Sequence, residues 1–428
     1  MKILLTVHQF VPEWSAGTEI LTFSTAKELL CRGHDVTVLT GFPVVQNPPD
    51  DQRIDYYEIE GVPVYRYSHT MLPTEEQPVV TELEYDNHLA ARLFDQLLTQ
   101  LQPDIVHFFH FARLGTGIID VALTHNILTY YTPTDFWTIC PTSQMLLPDF
   151  SMCKGPSDLA GNCSKHMFML THGEKTKQCL EKIPNRYPDV LPLLVKLKRL
   201  IKKNPLDVEI LAMSKRHKVN VARINRLKHI FVPMQLMSTL LEANGVDKDL
   251  LSLTAFGIDI SGYENVQIRS GKAKTIGFIG TLSEAKGCHV LIQAFKQLNL
   301  PDVQLKIYGN PDHYPDYAAN LMALVDHHPA IEFCGTFPNQ EIVSVLSELD
   351  ALVVPSLWYE NTPLVVHSAL AARCPVIATN LGGLTEVVRD NDNGLLFEAG
   401  DSSGLAQCIA LLTTSPDLLS RLSTNCKL

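Results

Sequence analysis

Twice along this chain, short runs rich in Val, Ile and Leu alternate with longer stretches of helical period, and few folds accommodate that alternation. Parallel strands need long crossover connections, usually helices, so the pattern predicts a doubly wound α/β architecture. Residues 2–7 read as the first strand. Residues 18–32 read as a helix with Ile20, Leu21, Phe23, Ala26, Leu29 and Leu30 facing inward and Gly33 past its end. Segments 36–40, 63–68, 104–109, 127–133, 209–214 and 251–257 read as further strands of a first Rossmann-like domain. The series then restarts at 275–280, 304–309, 331–335, 351–355 and 375–379. The polar stretch QIRSGKAK at 267–274 reads as the linker, which puts the domains at 1–266 and 267–428. A cysteine-containing insertion is expected at about 138–182, and the acid- and proline-rich stretch 50–86 reads as a surface excursion.

Charge narrows the function classes. With 35 Lys and Arg against 46 Asp and Glu, the net charge is −11, so no nucleic-acid partner is expected. The opening MKILLTVHQFVPE has too short an apolar run for a signal peptide, and the best apolar stretch, 361–372, is too short to span a bilayer and holds Asn361, His367 and Ser368. These features predict a cytoplasmic protein, and its ten cysteines are then expected as thiols or metal ligands.

Four loops follow strands where an open parallel sheet binds ligands. They are SAGT (15–18), GTL (280–282) with Lys286-Gly287, PSLWYENTP (355–363) and LGG (381–383) before Glu386. None is a Walker A sequence, and the first lacks GxGxxG, which argues against ordinary NTPases and dehydrogenases.

The order and spacing of these loops resemble the retaining glycosyltransferases of family 4 (group 1 glycosyltransferases). The resemblance runs through IGFIGTLSEAKGCHVLIQAF (276–295), LKIYGN (305–310), EFCGTFPNQEI (332–342), the segment 350–388 and NGLLF (393–397). It reaches the first half through SAGTEI (15–20), PDIVHFFH (103–110), TPTDFWTICP (132–141) and 231–259. It implies the GT-B fold, two Rossmann-like doubly wound domains facing across a cleft. The implied activity is metal-independent transfer of a hexosyl group from a nucleotide diphosphate sugar to a glycan or lipid-linked acceptor, in cell-surface polysaccharide biosynthesis.

By the same resemblance, Lys286 binds the donor diphosphate and Gly17 belongs to the loop that closes over it. Gly280 and Thr281 line the donor, with Thr281 standing where many members carry a basic residue. Glu360 matches the first glutamate of the E-x7-E pair and contacts the donor sugar. The segment of Thr362, Pro363 and Leu364 faces the phosphate, with Gly383 nearby. The second glutamate, which holds the ribose hydroxyls, is Ser368 here, and a serine cannot make two charge-assisted hydrogen bonds. The family's His-Asp pair appears as Thr134-Asp135, and its front-face route uses the donor phosphate rather than a histidine base. Asp135 and His110 are the active-site candidates of the first half, while His107 reads as core. Two rival readings remain: a non-catalytic glycosyltransferase-like partner subunit, favoured by Ser368 and the early end at Leu428, and a nucleotide-sugar epimerase of the same fold.

Two features stand outside the resemblance. Cys140, Cys153, Cys163 and His166 form a C-x12-C-x9-C-x2-H series whose ligand types suit a structural tetrahedral zinc, with buried free thiols as the alternative. The segment 196–228 carries Lys196, Lys198, Arg199, Lys202, Lys203, Lys215, Arg216, Lys218, Arg223, Arg226 and Lys228 against Asp207 and Glu209. With Leu194, Leu197, Leu200 and Ile201 opposite, it predicts peripheral docking on the anionic inner face of the membrane, or else a solvated helix.

Overall fold

The computed structural model describes residues 1–147, 151–198, 205–298, 300–361 and 363–427. The chain divides into two compact units, Met1–Ala255 and Phe256–Leu428. The first unit is built on β1 (Lys2–Val7), β2 (Asp35–Pro43), β3 (Ile54–Ile59), β4 (Val62–His69), β5 (Ile105–Phe108), β6 (Leu128–Tyr131), β7 (His229–Val232) and β8 (Leu251–Leu253). They form one sheet in the order β3-β4-β2-β1-β5-β6-β7-β8, parallel except for the β3–β4 pair. The second unit is built on β9 (Thr275–Ile279), β10 (Gln304–Tyr308), β11 (Ile331–Gly335), β12 (Ala351–Val354), β13 (Val376–Thr379) and β14 (Gly394–Phe397), ordered β11-β10-β9-β12-β13-β14 and wholly parallel. Every residue of β12 and β13 is buried, which is why these strands read as unbroken apolar runs rather than alternating ones.

Strand order decides where ligands go. In the first sheet the chain moves outward from β1 to β2 and β4, then returns to the other side of β1 with β5. In the second it moves from β9 to β10 and β11, then returns beside β9 with β12. The two switch points lie between β1 and β5 and between β9 and β12, and the loops at the carboxyl ends of those strands splay apart to leave a crevice.

Several sequence expectations are corrected. Residues 209–214 are not a strand but part of the helix Pro205–Ile224, whose inner residues Ile210, Met213, Arg216, Asn220 and Ile224 recur at helical spacing. The short apolar run EILAMS hid a period visible only over twenty residues. The 50–86 stretch holds β3, β4 and the helix Val80–Tyr85, so its centre is sheet rather than excursion. Strands β7 and β14 were not anticipated. The 267–274 segment is no free linker: Arg269 is 8% exposed, and its guanidinium donates to the carbonyls of Leu349 (2.8 Å) and Leu346 (2.6 Å). Tyr263 and Val266 also pack on the second core, which is why that unit starts at Phe256.

The insertion contributes the helices Gly161–Thr171, Glu174–Glu181 and Val190–Lys198, which share a small core of Phe168, Leu180 and Val195 with Ile210. The basic segment after it is only partly a basic face. Arg216 is buried, Arg223 bonds Asp86 and Asp120 at 2.7 Å each, and Arg226 bonds Asp120. Lys196, Lys215, Lys218 and Lys228 remain exposed. The side chain of Lys198, and Arg199, Leu200, Ile201, Lys202 and Lys203, lie outside the described residues. Among the described residues no helix is long and apolar enough to cross a membrane.

Candidate functional site

At the second unit's switch point the loop after β9 meets the loop after β12. The turn Glu284–Lys286 ends at Gly287, whose φ of +69° lies in the left-handed region that glycine adopts without steric cost. A Cβ at 287 would stand 1.9 Å from the Pro355 carbonyl oxygen, so only glycine lets the two loops approach this closely. Leu357 N–H then donates to the Ala285 carbonyl at 2.8 Å and ties the loops together.

This joint sets Lys286 against Glu360. The Lys286 ammonium lies 2.7 Å from Glu360 Oε1, and the same oxygen accepts from Ser356 Oγ (2.5 Å) and Trp358 Nε1 (2.9 Å). Lys286 Nζ also lies 5.2 Å from the centroid of the Trp358 ring, a cation–π contact. Glu360 is 3% exposed, and a buried carboxylate is tolerated only when paired and hydrogen-bonded, as it is here. An ammonium carries three donors, so Lys286 can hold Glu360 and still offer two N–H groups to an anion. Gly383 N–H donates to the Glu360 carbonyl at 3.2 Å and fixes the loop from the other side.

Other expected donor residues lie around this centre. Gly280 and Thr281 follow β9, and Pro363 precedes the helix Leu364–Ala371, which Leu364 opens. Thr362 lies outside the described residues. Ser368, on that helix, is 8% exposed and lies beside the Tyr263 phenol, a neighbour the sequence reading missed.

In the first unit the switch point gathers histidines and carboxylates. His110 is 4% exposed; its Nδ1 accepts from Ala112 N–H at 3.0 Å, so the ring proton sits on Nε2, which donates to Asp135 Oδ2 at 2.9 Å. Asp135 Oδ1 in turn accepts from Trp137 N–H at 2.7 Å. The His8 ring packs on His110 with centroids 4.1 Å apart, and His8 Nε2 lies 3.6 Å from Glu19 Oε1. This last contact is not an ion pair. Burial, with His110 and Arg113 alongside, pushes His8 protonation well below the usual histidine range, and burial raises the Glu19 carboxyl. Arg113 anchors the loop through the His8 carbonyl (3.1 Å) and Gln9 Oε1 (3.0 Å). The structure therefore joins His110 to Asp135, two candidates the sequence named separately, and adds His8 and Glu19, signalled in sequence only by polar residues just beyond a strand and in the first turn of the next helix.

His107 is core: it bonds Thr132 Oγ1 at 2.8 Å, stacks on Phe109, and burial lowers its pKa to about 4. Gly17 opens the helix Gly17–Cys31, and a Cβ there would meet nothing within 4 Å. Cys140, Cys153, Cys163 and His166 line one pocket, although among the described residues no three His, Cys, Asp or Glu side chains are placed to hold a metal ion as they stand.

Comparison with known proteins bears on both units. The D-inositol 3-phosphate glycosyltransferase of Corynebacterium urealyticum is 33% identical over 34% of this chain and 36% of its own length. The chain spans about a third to a half of the curated relatives matched in this way. An uncharacterized glycosyltransferase of Methanocaldococcus jannaschii aligns over 92% of this chain and 84% of its own length, at 23% identity. Among solved structures, Anabaena HepE in complex with UDP superposes with a TM-score of 0.62 at 17% identity, covering 100% of this chain and 93% of its own. That likeness shows the fold. Residues 263–428, nearly the whole second unit, match the family model of glycosyl transferases group 1, on a chain with the two-unit fold of GT-B glycosyltransferases.

Proposed function

We propose that this chain transfers a hexosyl group, with retention of configuration and without a catalytic metal, from a nucleoside diphosphate sugar to a glycan or lipid-linked acceptor in cell-surface polysaccharide assembly. The observation that carries the reading is the Lys286–Glu360 pair at the β9/β12 switch point, inside the segment matching glycosyl transferases group 1. The leaving group is a diphosphate, and an ammonium held in place by Glu360 needs no reorganisation to neutralise the charge that develops on it. HepE in complex with UDP supports a uridine diphosphate donor. The acceptor hydroxyl attacks the anomeric carbon from the face the diphosphate leaves, and passes its proton to the departing phosphate oxygen.

Ser368 favours a second reading, a non-catalytic subunit, because a lone hydroxyl cannot make the two charge-assisted hydrogen bonds that a carboxylate gives a ribose diol. Thermal melting with a panel of nucleoside diphosphates and their sugars separates the two, since a ligand at a hundred times its Kd adds about 2.7 kcal/mol to apparent stability. The catalytic reading expects a rise with one donor, and tightening by about tenfold in Ser368→Glu, which returns a carboxylate to the ribose position. No shift in either protein supports the non-catalytic subunit.

We also assign membrane contact to the 196–228 side of the first unit. Leu193, Leu194 and Leu197 are 49%, 49% and 70% exposed on the helix Val190–Lys198, next to exposed Lys196. Sedimentation should show binding to anionic vesicles that weakens as salt shortens the Debye length below ~8 Å. Equal binding to neutral vesicles would remove the electrostatic part.

A further inference from the structure

Outside the switch points, the first unit gathers an unusual set of ligand types. Cys140 lies in the loop after β6, Cys153 follows the isolated Leu146–Met152 bridge, and Cys163 and His166 stand three apart on the helix Gly161–Thr171, hence on one face. Separated by up to 26 residues in sequence, all four line a single pocket of about 10 Å³, room for one water-sized or ion-sized body.

A second observation comes from Arg216. It is 2% exposed, its guanidinium covers the Trp137 ring at 4.5 Å and donates to the Trp137 carbonyl at 2.5 Å, and its Nε finds no hydrogen-bond partner among the described residues. Buried charge requires compensation, and Arg216 lies within electrostatic reach of Glu84 first, then of Cys140, Cys163 and Asp135. Three thiolates and a neutral imidazole around a divalent cation carry a net charge of −1, which a buried guanidinium balances. Gly155 N–H (3.4 Å) and Asn162 Nδ2 (3.9 Å) already point at Cys153 Sγ, the kind of outer contact that orients a metal-bound sulfur.

We propose that Cys140, Cys153, Cys163 and His166 bind one structural zinc ion that fastens the insertion to the loop after β6. Binding releases the three thiol protons and draws the four side chains inward to close the group. Because that loop also carries Asp135 and Trp137, the ion stiffens the base of the His110–Asp135 pair.

Elemental analysis of protein purified without chelator should find about one zinc per chain. Native thiol titration should label exposed Cys31 and Cys179 first, with three further thiols appearing only after chelation. His166→Ala should lower zinc to below about 0.2 per chain, whereas His166→Cys, which supplies a fourth thiolate, should retain it. A packing role for His166 would not make cysteine restore the metal. Folded wild-type protein free of zinc, an iron–sulfur chromophore in place of zinc, or a disulfide among the three cysteines would each overturn the proposal.

Discussion

Lys286→Ala should lower sugar transfer by about 10²–10³-fold, the loss typical when one preorganised donor to a developing oxyanion is removed. Glu360→Gln should fall in the same range for a different reason. The amide oxygen still accepts from Ser356 and Trp358, so the loop keeps its shape, but the charge that holds Lys286 at 2.7 Å is gone. Because the two side chains touch, the double variant should lose much less than the product of the single losses. Lys286→Arg, which keeps the charge but not the compact ammonium, should retain part of the activity. Since the Glu360 side chain is only 4% exposed, removing Lys286 leaves a buried carboxylate held by Ser356 and Trp358 alone, and the unfolding midpoint should fall as well. Initial rates with the donor identified by thermal shift decide the matter, and unchanged turnover in both single variants removes this pair from the chemistry.

The second large effect concerns the joint beneath that pair. Gly287→Ala places a Cβ 1.9 Å from the Pro355 carbonyl at a φ of +69°. The left-handed conformation costs an alanine about 1–2 kcal/mol and the overpacking about 1–3 kcal/mol more, so urea unfolding should show a loss of about 2–5 kcal/mol. Lys286 moves with the turn, and donor binding should weaken in the fraction that stays folded. Gly17→Ala is the opposite case. Its Cβ meets nothing, and alanine favours the first turn of the helix Gly17–Cys31, so stability should hold or rise by up to about 1 kcal/mol. If the diphosphate approaches that turn, the added methyl lowers donor affinity without touching stability. Full affinity in Gly17→Ala would take Gly17 out of the site, and normal stability in Gly287→Ala would contradict the close loop contact.

Both arguments depend on features with different visibility in sequence. Gly17 and the Lys286-Gly287 dipeptide were legible because they stand where the family the chain resembles carries its glycine loop and its phosphate-binding lysine. That Lys286 pairs with Glu360 was not legible from spacing, since 74 residues separate them and only the adjacency of β9 and β12 brings them together. Segment 209–214 shows the converse error: six apolar-rich residues are ambiguous between strand and helix, and the longer burial period of Pro205–Ile224 decides. Arg216 was counted in a solvated basic face because composition records charge but not direction. On that helix Lys215 and Lys218 point to water while Arg216 itself points into the core.

The sequence by itself determined the architecture of each half, because strand and helix periods are local and parallel strands leave few ways to connect them. It also determined which loops lie at the carboxyl ends of strands, since that follows from chain direction alone. Tertiary structure decided what those loops do with their side chains. It set three donors on Glu360 Oε1, packed His8 on His110 and gathered Cys140, Cys153, Cys163 and His166 around one pocket. The Lys286–Glu360 and His8–His110 contacts, and the approach of Cys140 and Cys153 to the helix carrying Cys163 and His166, join residues from different elements. Their proximity depends on strand order and helix packing, which arise from the burial of the whole apolar surface and leave no mark at either residue.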